Sequence, residues 1–207
     1  MKPQATGQRP KPWAYPTASV IGREFDINLL GALLEPASSE EILDLMDEAI
    51  AAKIIEYVPG GAVRYQFRHA LMQQTLGENI SAGRKVRYHA RVGEAIETVH
   101  AERLSERAAE LAHHFAQAVP VLGNEKLSRY TLLAGERPLA SYAHEEAVER
   151  FTRGLIAKDV DPSGLVPAID AEAADLLFGL SRAKSALFSF RPGYIGEAVA
   201  NLRSAFQ

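Results

Sequence analysis

Along residues 65–76 the apolar positions change period. Tyr65, Phe67 and His69 alternate with Gln66 and Arg68, the two-residue period of a half-buried strand, and Ala70, Leu71, Gln74 and Thr75 continue at helical spacing. The pattern predicts a strand that runs into a helix at His69. Just upstream, Ile54, Ile55, Glu56, Tyr57 and Val58 lead into Pro59, Gly60, Gly61 and Ala62, which predicts a partner strand and a turn, and so a β-hairpin feeding a helix.

The same test along the rest of the chain gives mostly helix. Residues 1–16 carry four prolines and almost no aliphatic side chains, the pattern of a flexible leader whose Trp13 and Tyr15 pack on the domain. A first helix is predicted from Asp26, a plausible N-cap for Ile27, Leu29, Leu30, Leu33 and Leu34, stopping before Pro36. Ser38 or Ser39 then caps a second helix running to Ile54, with Glu40 and Glu41 in its first turn and an apolar face of Ile42, Leu43, Leu45, Met46, Ala49 and Ile50. Helix, helix, hairpin and helix in that order predict a winged helix over residues 17–80.

Residues 81–124 read as connecting helices. Ser81 caps one that runs to His100 with Val86, Ala90, Val92, Ala95, Ile96 and Val99 inward. A second spans residues 104–119, with Ala108, Leu111, Ala112 and Phe115 at helical spacing, and ends at Pro120. Residues 125–207 read as degenerate tetratricopeptide-like repeats. Their helices are predicted at 125–141, 142–158, 168–189 and 193–207, with residues 159–167 as a linker. Gly135, Ala147 and Phe151 match the repeat's small residue and Ala-x-x-x-Phe, whereas Pro138 and Gly154 depart from it. Ala198, Leu202 and Ala205 are a weaker echo, and an ordinary helical bundle is the alternative. Because Gln207 falls mid-pattern, the array reads as truncated, with a last helix expected to fray and to self-associate through its apolar face. The predicted class is mainly α: a winged helix with a small β-hairpin, followed by a tetratricopeptide-like helical array.

Composition narrows the chemistry. With 207 residues, 47% apolar, the chain can build one large core or two small ones. It has no cysteine, which removes disulfides, thiolate metal sites and cysteine catalysis and fits a cytoplasmic location. No apolar run reaches the roughly 20 residues of a membrane span, and no signal-peptide core is present. There is no phosphate loop, Gly-x-Gly-x-x-Gly, Gly-x-Ser-x-Gly or His-Glu-x-x-His. The adjacent His113 and His114 point about 100° apart on a helix and do not share a metal. The chain is therefore read as non-catalytic, with no metal and no cofactor of its own.

A net charge of −3 gives no global attraction to nucleic acid. The helix that would read a major groove carries Glu40, Glu41, Asp44, Asp47 and Glu48, which repel phosphate. Against this stands a basic cluster, Arg64, Arg68, Arg84, Lys85, Arg87 and Arg91, with Arg84, Arg87 and Arg91 on one helical stripe. Arg68, Arg84, Arg87 and Arg91 are candidate contacts for an anion or a partner, and duplex DNA binding through them is the alternative to a solvated or domain-contacting face.

Several ordered motifs carry a family resemblance: residues 18–25 (Ala-Ser-Val-Ile-Gly-Arg-Glu-Phe), 65–71 (Tyr-Gln-Phe-Arg-His-Ala-Leu), 88–92 (Tyr-His-Ala-Arg-Val), 110–115 (Glu-Leu-Ala-His-His-Phe) and 134–137 (Ala-Gly-Glu-Arg). Together they resemble the region after the nucleotide-binding domain in bacterial STAND-class signalling ATPases, the large LuxR-type regulators and multidomain adenylate cyclases. The resemblance runs from Ala18 to Leu155 and less clearly to Phe206. It implies a regulatory, protein-interacting segment whose ATPase module, with its ATP or ADP, lies outside this sequence. It also implies that His69, in Arg68-His69-Ala70, matches the His of the family's Met-His-Asp motif, which approaches the ADP β-phosphate. Arg68 and Ala70 replace the Met and the Asp. A His that simply hydrogen-bonds the hairpin is the plainer alternative, and a free-standing helical adaptor is a third functional reading.

Overall fold

The computed structural model describes residues 14–60, 62–187 and 193–206. Among them are ten α-helices and a small three-stranded antiparallel sheet. The chain divides into two compact units, residues 1–99 and 100–207.

The first unit runs α1 (Ala14–Ile21), β1 (Glu24–Asp26), α2 (Ile27–Leu34), α3 (Ser39–Ala51), β2 (Ile55–Val58), β3 (Arg64–Phe67), α4 (Ala70–Glu78) and α5 (Ala82–Val99). The hairpin is β2–β3, and β1 adds to its other side, giving the order β1-β3-β2. Phe25 faces Tyr65 and Tyr57 faces Tyr65 in the two ladders. The Phe25 ring sits 6.1 Å from that of Tyr65 and 5.7 Å from that of Phe67. Neither β1 nor α1 is predicted by the sequence pattern. Three residues are too few to display a period, and Pro16 marks the leader as extended although a proline in the first helical turn lacks only an N–H that has no partner there.

Two of the expected start signals work as hydrogen bonds, whereas Ser81, expected to cap α5, makes no side-chain bond among the described residues. Asp26 accepts from the Leu29 N–H at 2.8 Å. Ser38 and Glu41 form a reciprocal capping box, 3.2 Å and 2.8 Å. Helix α3 ends at Ala51 and not at Ile54, because Lys53 takes a left-handed φ of 59°. This lets Ile54 N–H return to the Ala49 carbonyl at 2.9 Å and turns Ile55 into the core. Glycine normally announces such a stop, and a lysine does not. On α3, Ile42, Leu45, Met46 and Ala49 are buried, while Leu43 and Ile50 are exposed.

The second unit begins with a short 3-10 turn, Ala101–Arg103, and continues as α6 (Ala108–Leu122), α7 (Glu125–Ala140), α8 (His144–Ala157), α9 (Ala171–Ala186) and α10 (Tyr194–Ala205). Helix α6 starts later than predicted and passes through Pro120, which lies in its last turn, to stop at Gly123 with φ 72°. Each helix packs on the next, and α7 also touches α9. The wedge is Phe151, fully buried on α8. A Cβ on Gly135 of α7 would come within 2.5 Å of its ring, and one on Gly179 of α9 within 2.6 Å. Only hydrogen at both positions lets three helices close on one aromatic ring.

Residues 159–167, expected as a linker, are instead tied to α10. Gly164 has φ 73°, and a Cβ there would strike the backbone of Asn201. Asn201 Nδ2 donates to the Pro162 carbonyl at 2.8 Å, Ser204 Oγ donates to the Gly164 carbonyl, and Ala168 N–H donates to the Ser204 carbonyl at 3.0 Å. Lys184, 5% exposed, sits 2.7 Å from Glu197 and donates to Asn201 Oδ1 at 3.2 Å. The buried positions of α10 are Ala198, Asn201 and Ser204; of the weak motif echo Ala198, Leu202 and Ala205, Ala198 is buried, Ala205 is partly buried against the core and Leu202 is exposed. Polar side chains hide a face here because the strap supplies their partners. Ile195, Val199, Leu202 and Phe206 lie outward.

Candidate partner-binding face

β3 delivers its last buried ring, Phe67, to the core, and the chain then leaves the sheet. Arg68 N–H bonds to the Ile54 carbonyl at 3.1 Å, which fixes the exit, and His69 becomes the N-cap of α4 with extended φ −130° and ψ 131°. Its imidazole makes no capping bond and is exposed, with no partner among the described residues. The plainer expectation, a histidine bonded to the hairpin, is therefore not met.

The helix that follows is unusual in burying nothing. None of the nine residues of α4 is buried; Leu71 is 70% and Met72 36% exposed. Its main tether is Gln73, whose Nε2 donates to the Ser19 carbonyl of α1 at 3.0 Å. The polar side chains satisfy themselves: Thr75 donates to the Leu71 carbonyl (2.8 Å), Gln74 to Glu78 (2.7 Å) and Asn79 to the Thr75 carbonyl (2.9 Å). A helix of this length is marginal unless tertiary packing supports it, and this one presents Leu71 and Met72 to solvent while Leu76 is half-buried. The run Gln73-Gln74-Thr75, which leaves no continuous apolar stripe, was the sequence signal for this.

The basic cluster separates into two kinds. Arg64 pairs with Glu24 of β1 at 3.6 Å and Arg68 with Glu56 of β2 at 3.5 Å; Glu56 also accepts from Gln66 at 2.6 Å. These pairs are about half exposed and contribute roughly 0–1 kcal/mol each, yet they neutralise both cations. Arg91, though exposed, is engaged, its Nη2 donating to the Leu33 carbonyl at 2.6 Å at the C-terminal end of α2. The predicted stripe thus loses Arg91, and Arg84, Lys85 and Arg87 remain exposed with no counter-ion among the described residues. The Arg64 pairing was hidden from the sequence because Glu24 lies in the strand that its pattern does not reveal.

The acidic face of α3 is exposed at Glu40, Asp44 and Asp47. The Tyr65 phenol is pushed above its ordinary value by burial and then by the nearby charge of Asp47. In the second unit His114 is buried and His113 exposed, their rings 5.4 Å apart and 76° from parallel. Among the described residues no group of three or more His, Cys, Asp or Glu could hold a metal, and no helix is long and apolar enough to cross a membrane.

No protein-family model matches the chain, and neither the curated proteins nor the solved structures include a match.

Proposed function

We propose that this chain is a non-catalytic regulatory and protein-interaction segment of the STAND-ATPase type, a winged helix followed by tetratricopeptide-like repeats. The observation that carries the reading is α4, a helix without a single buried side chain, exposing Leu71 and Met72 beside an unpartnered His69 at its N-cap. Such a surface gains stability only when something covers it. In this reading the cover is a nucleotide-binding module, and His69, next to the free N–H groups of the first turn, meets the ADP phosphate that the module holds. The motifs at residues 18–25 and 65–71 and the steric pairing of Gly135 with Phe151 support the kinship.

The test begins with the DNA around the Met1 codon. A phosphate-loop ATPase encoded there, purified, is expected to bind this chain, and the double change Leu71→Asp with Met72→Asp to weaken the complex by about tenfold or more, since two apolar side chains worth roughly 1.5–3 kcal/mol each would be left uncovered. Equal affinity for both forms, or ATP hydrolysis by the isolated chain at an enzyme-like rate, overturns the reading.

A second reading, duplex DNA binding, is favoured by one observation, the unpaired Arg84, Lys85 and Arg87. It requires binding that falls steeply with salt and disappears when Arg84 and Arg87 become Glu; no mobility shift at low salt rejects it.

A further inference from the structure

Within the second unit an open surface depression of about 220 Å³ lies between the turn before α6, α7 and the first turn of α8; of its lining only Ala134 and Pro138 are buried. Ala109, Ala134 and Pro138 give it an apolar part. Its polar lining is Arg137, flanked by Ser105 and Glu106 from one segment and by Ser141 and Glu146 from another.

The charges in this depression are not balanced against each other. Glu106 is engaged by Arg103 at 3.5 Å and Glu146 by Arg150 at 3.1 Å, both outside the lining. Arg137, by contrast, is exposed and has neither an ion pair nor a side-chain hydrogen bond among the described residues, so its guanidinium is available to a ligand from solvent. A guanidinium presents a planar fork of donors that fits a carboxylate with two parallel bonds. The hydroxyls differ as well. Ser141 commits its proton to the carbonyls of Arg137 (3.0 Å) and Pro138 (3.3 Å), so it offers a ligand only lone pairs. Ser105 has no partner among the described residues and is free to donate.

We propose that this depression binds a small zwitterion, a free α-amino acid with an aliphatic side chain. The carboxylate lies on Arg137 and Ser105, the ammonium is received by Glu146 and the Ser141 lone pairs, and the side chain rests on Ala134 and Pro138. The depression is open to solvent and its volume accommodates such a ligand. A dicarboxylate would bring its second charge against Glu106 or Glu146, and a plain amine would leave Arg137 uncompensated. The site rests on the second unit alone and stands or falls independently of the ATPase kinship.

Calorimetry on the purified full chain tests this with L-valine, L-alanine, propionate, succinate and propylamine as probes. At least one of the two amino acids is expected to saturate in the millimolar range, with propionate and propylamine about tenfold weaker because each loses one charge-assisted contact. Arg137→Gln abolishes amino-acid binding with an unchanged melting curve. Glu146→Gln weakens the amino acid and leaves propionate as it was, which a general loss of structure would not do. Propionate or succinate binding as tightly as valine marks a plain anion site and overturns the proposal. So do retained binding in Arg137→Gln and the absence of saturation by either amino acid.

Discussion

Helices α4 and α8 are held in opposite ways. Helix α8 buries Ala147, Phe151, Gly154, Leu155 and Ala157 between its neighbours, whereas α4 buries no side chain and leans on α1 through Gln73. The difference does not come from how apolar the two helices are, since α4 carries Leu71, Met72 and Leu76. It comes from what faces them. Opposite α8 stand glycines that admit an aromatic ring; α4 touches α1 and β3 without burying any of its side chains. Internal packing is recognised by paired large and small residues, and a face waiting for a partner by large residues with no small ones opposite.

Phe151→Ala should break the contrast most, since it empties the wedge shared by α7, α8 and α9. A loss of about 3–5 kcal/mol is expected, read as a large fall in the urea midpoint of the full chain. Gly135→Ala comes next: its methyl would lie 2.5 Å from the Phe151 ring, and overpacking costs about 1–3 kcal/mol although alanine favours a helix. Gly196→Ala on α10, where a Cβ meets nothing within 4 Å, should stabilise by up to about 1 kcal/mol and so separates packing from propensity.

A smaller effect belongs to Asp170, which caps α9 by accepting from the Ala173 N–H at 2.8 Å and meets Lys158 at 2.9 Å. That backbone bond, and then Lys158, hold its carboxyl below the ordinary range. Because the folded value is the lower one, its stabilisation is complete above the usual aspartate pKa of about 3.9 and is lost as the pH falls through the folded value. Asp170→Ala should cost about 1 kcal/mol at neutral pH, and Asp170→Asn, which keeps a cap, should flatten the acid limb of a plot of melting temperature against pH. Smallest of all, the Leu71→Asp and Met72→Asp pair should shift the stability of the isolated chain by no more than about 0.5 kcal/mol, measured by the same urea titration.

Local signals were legible where one residue type does one job. Asp26, Ser38 and Glu41 are caps in the pattern and caps in hydrogen bonds. The β2–β3 alternation buries Tyr65 and Phe67 as read, and the spacing of Gly135 and Phe151 corresponds to a physical contact. What stayed hidden depends on partners remote in sequence. Strand β1 exists because β3 has a free edge, and Asn201 and Ser204 are inside because residues 162–168 bond them. Arg91 is engaged because α2 ends within reach of its guanidinium. Of the candidate site, the position of His69 at a strand-to-helix junction was readable, whereas the fate of each arginine was not, since a charge run is silent about which of its members have counter-ions.

The strap over α10 also has a consequence for how the second unit opens. Its bonds join residues 162–168 to residues 201–204 and, through Lys184, to α9, so the loop and the last helix share their protection. Amide exchange of Ala168 and of the buried turns of α10 should then proceed at one rate, as a single opening event, and a protease that cuts most surface loops should find residues 162–168 closed until α10 has already left.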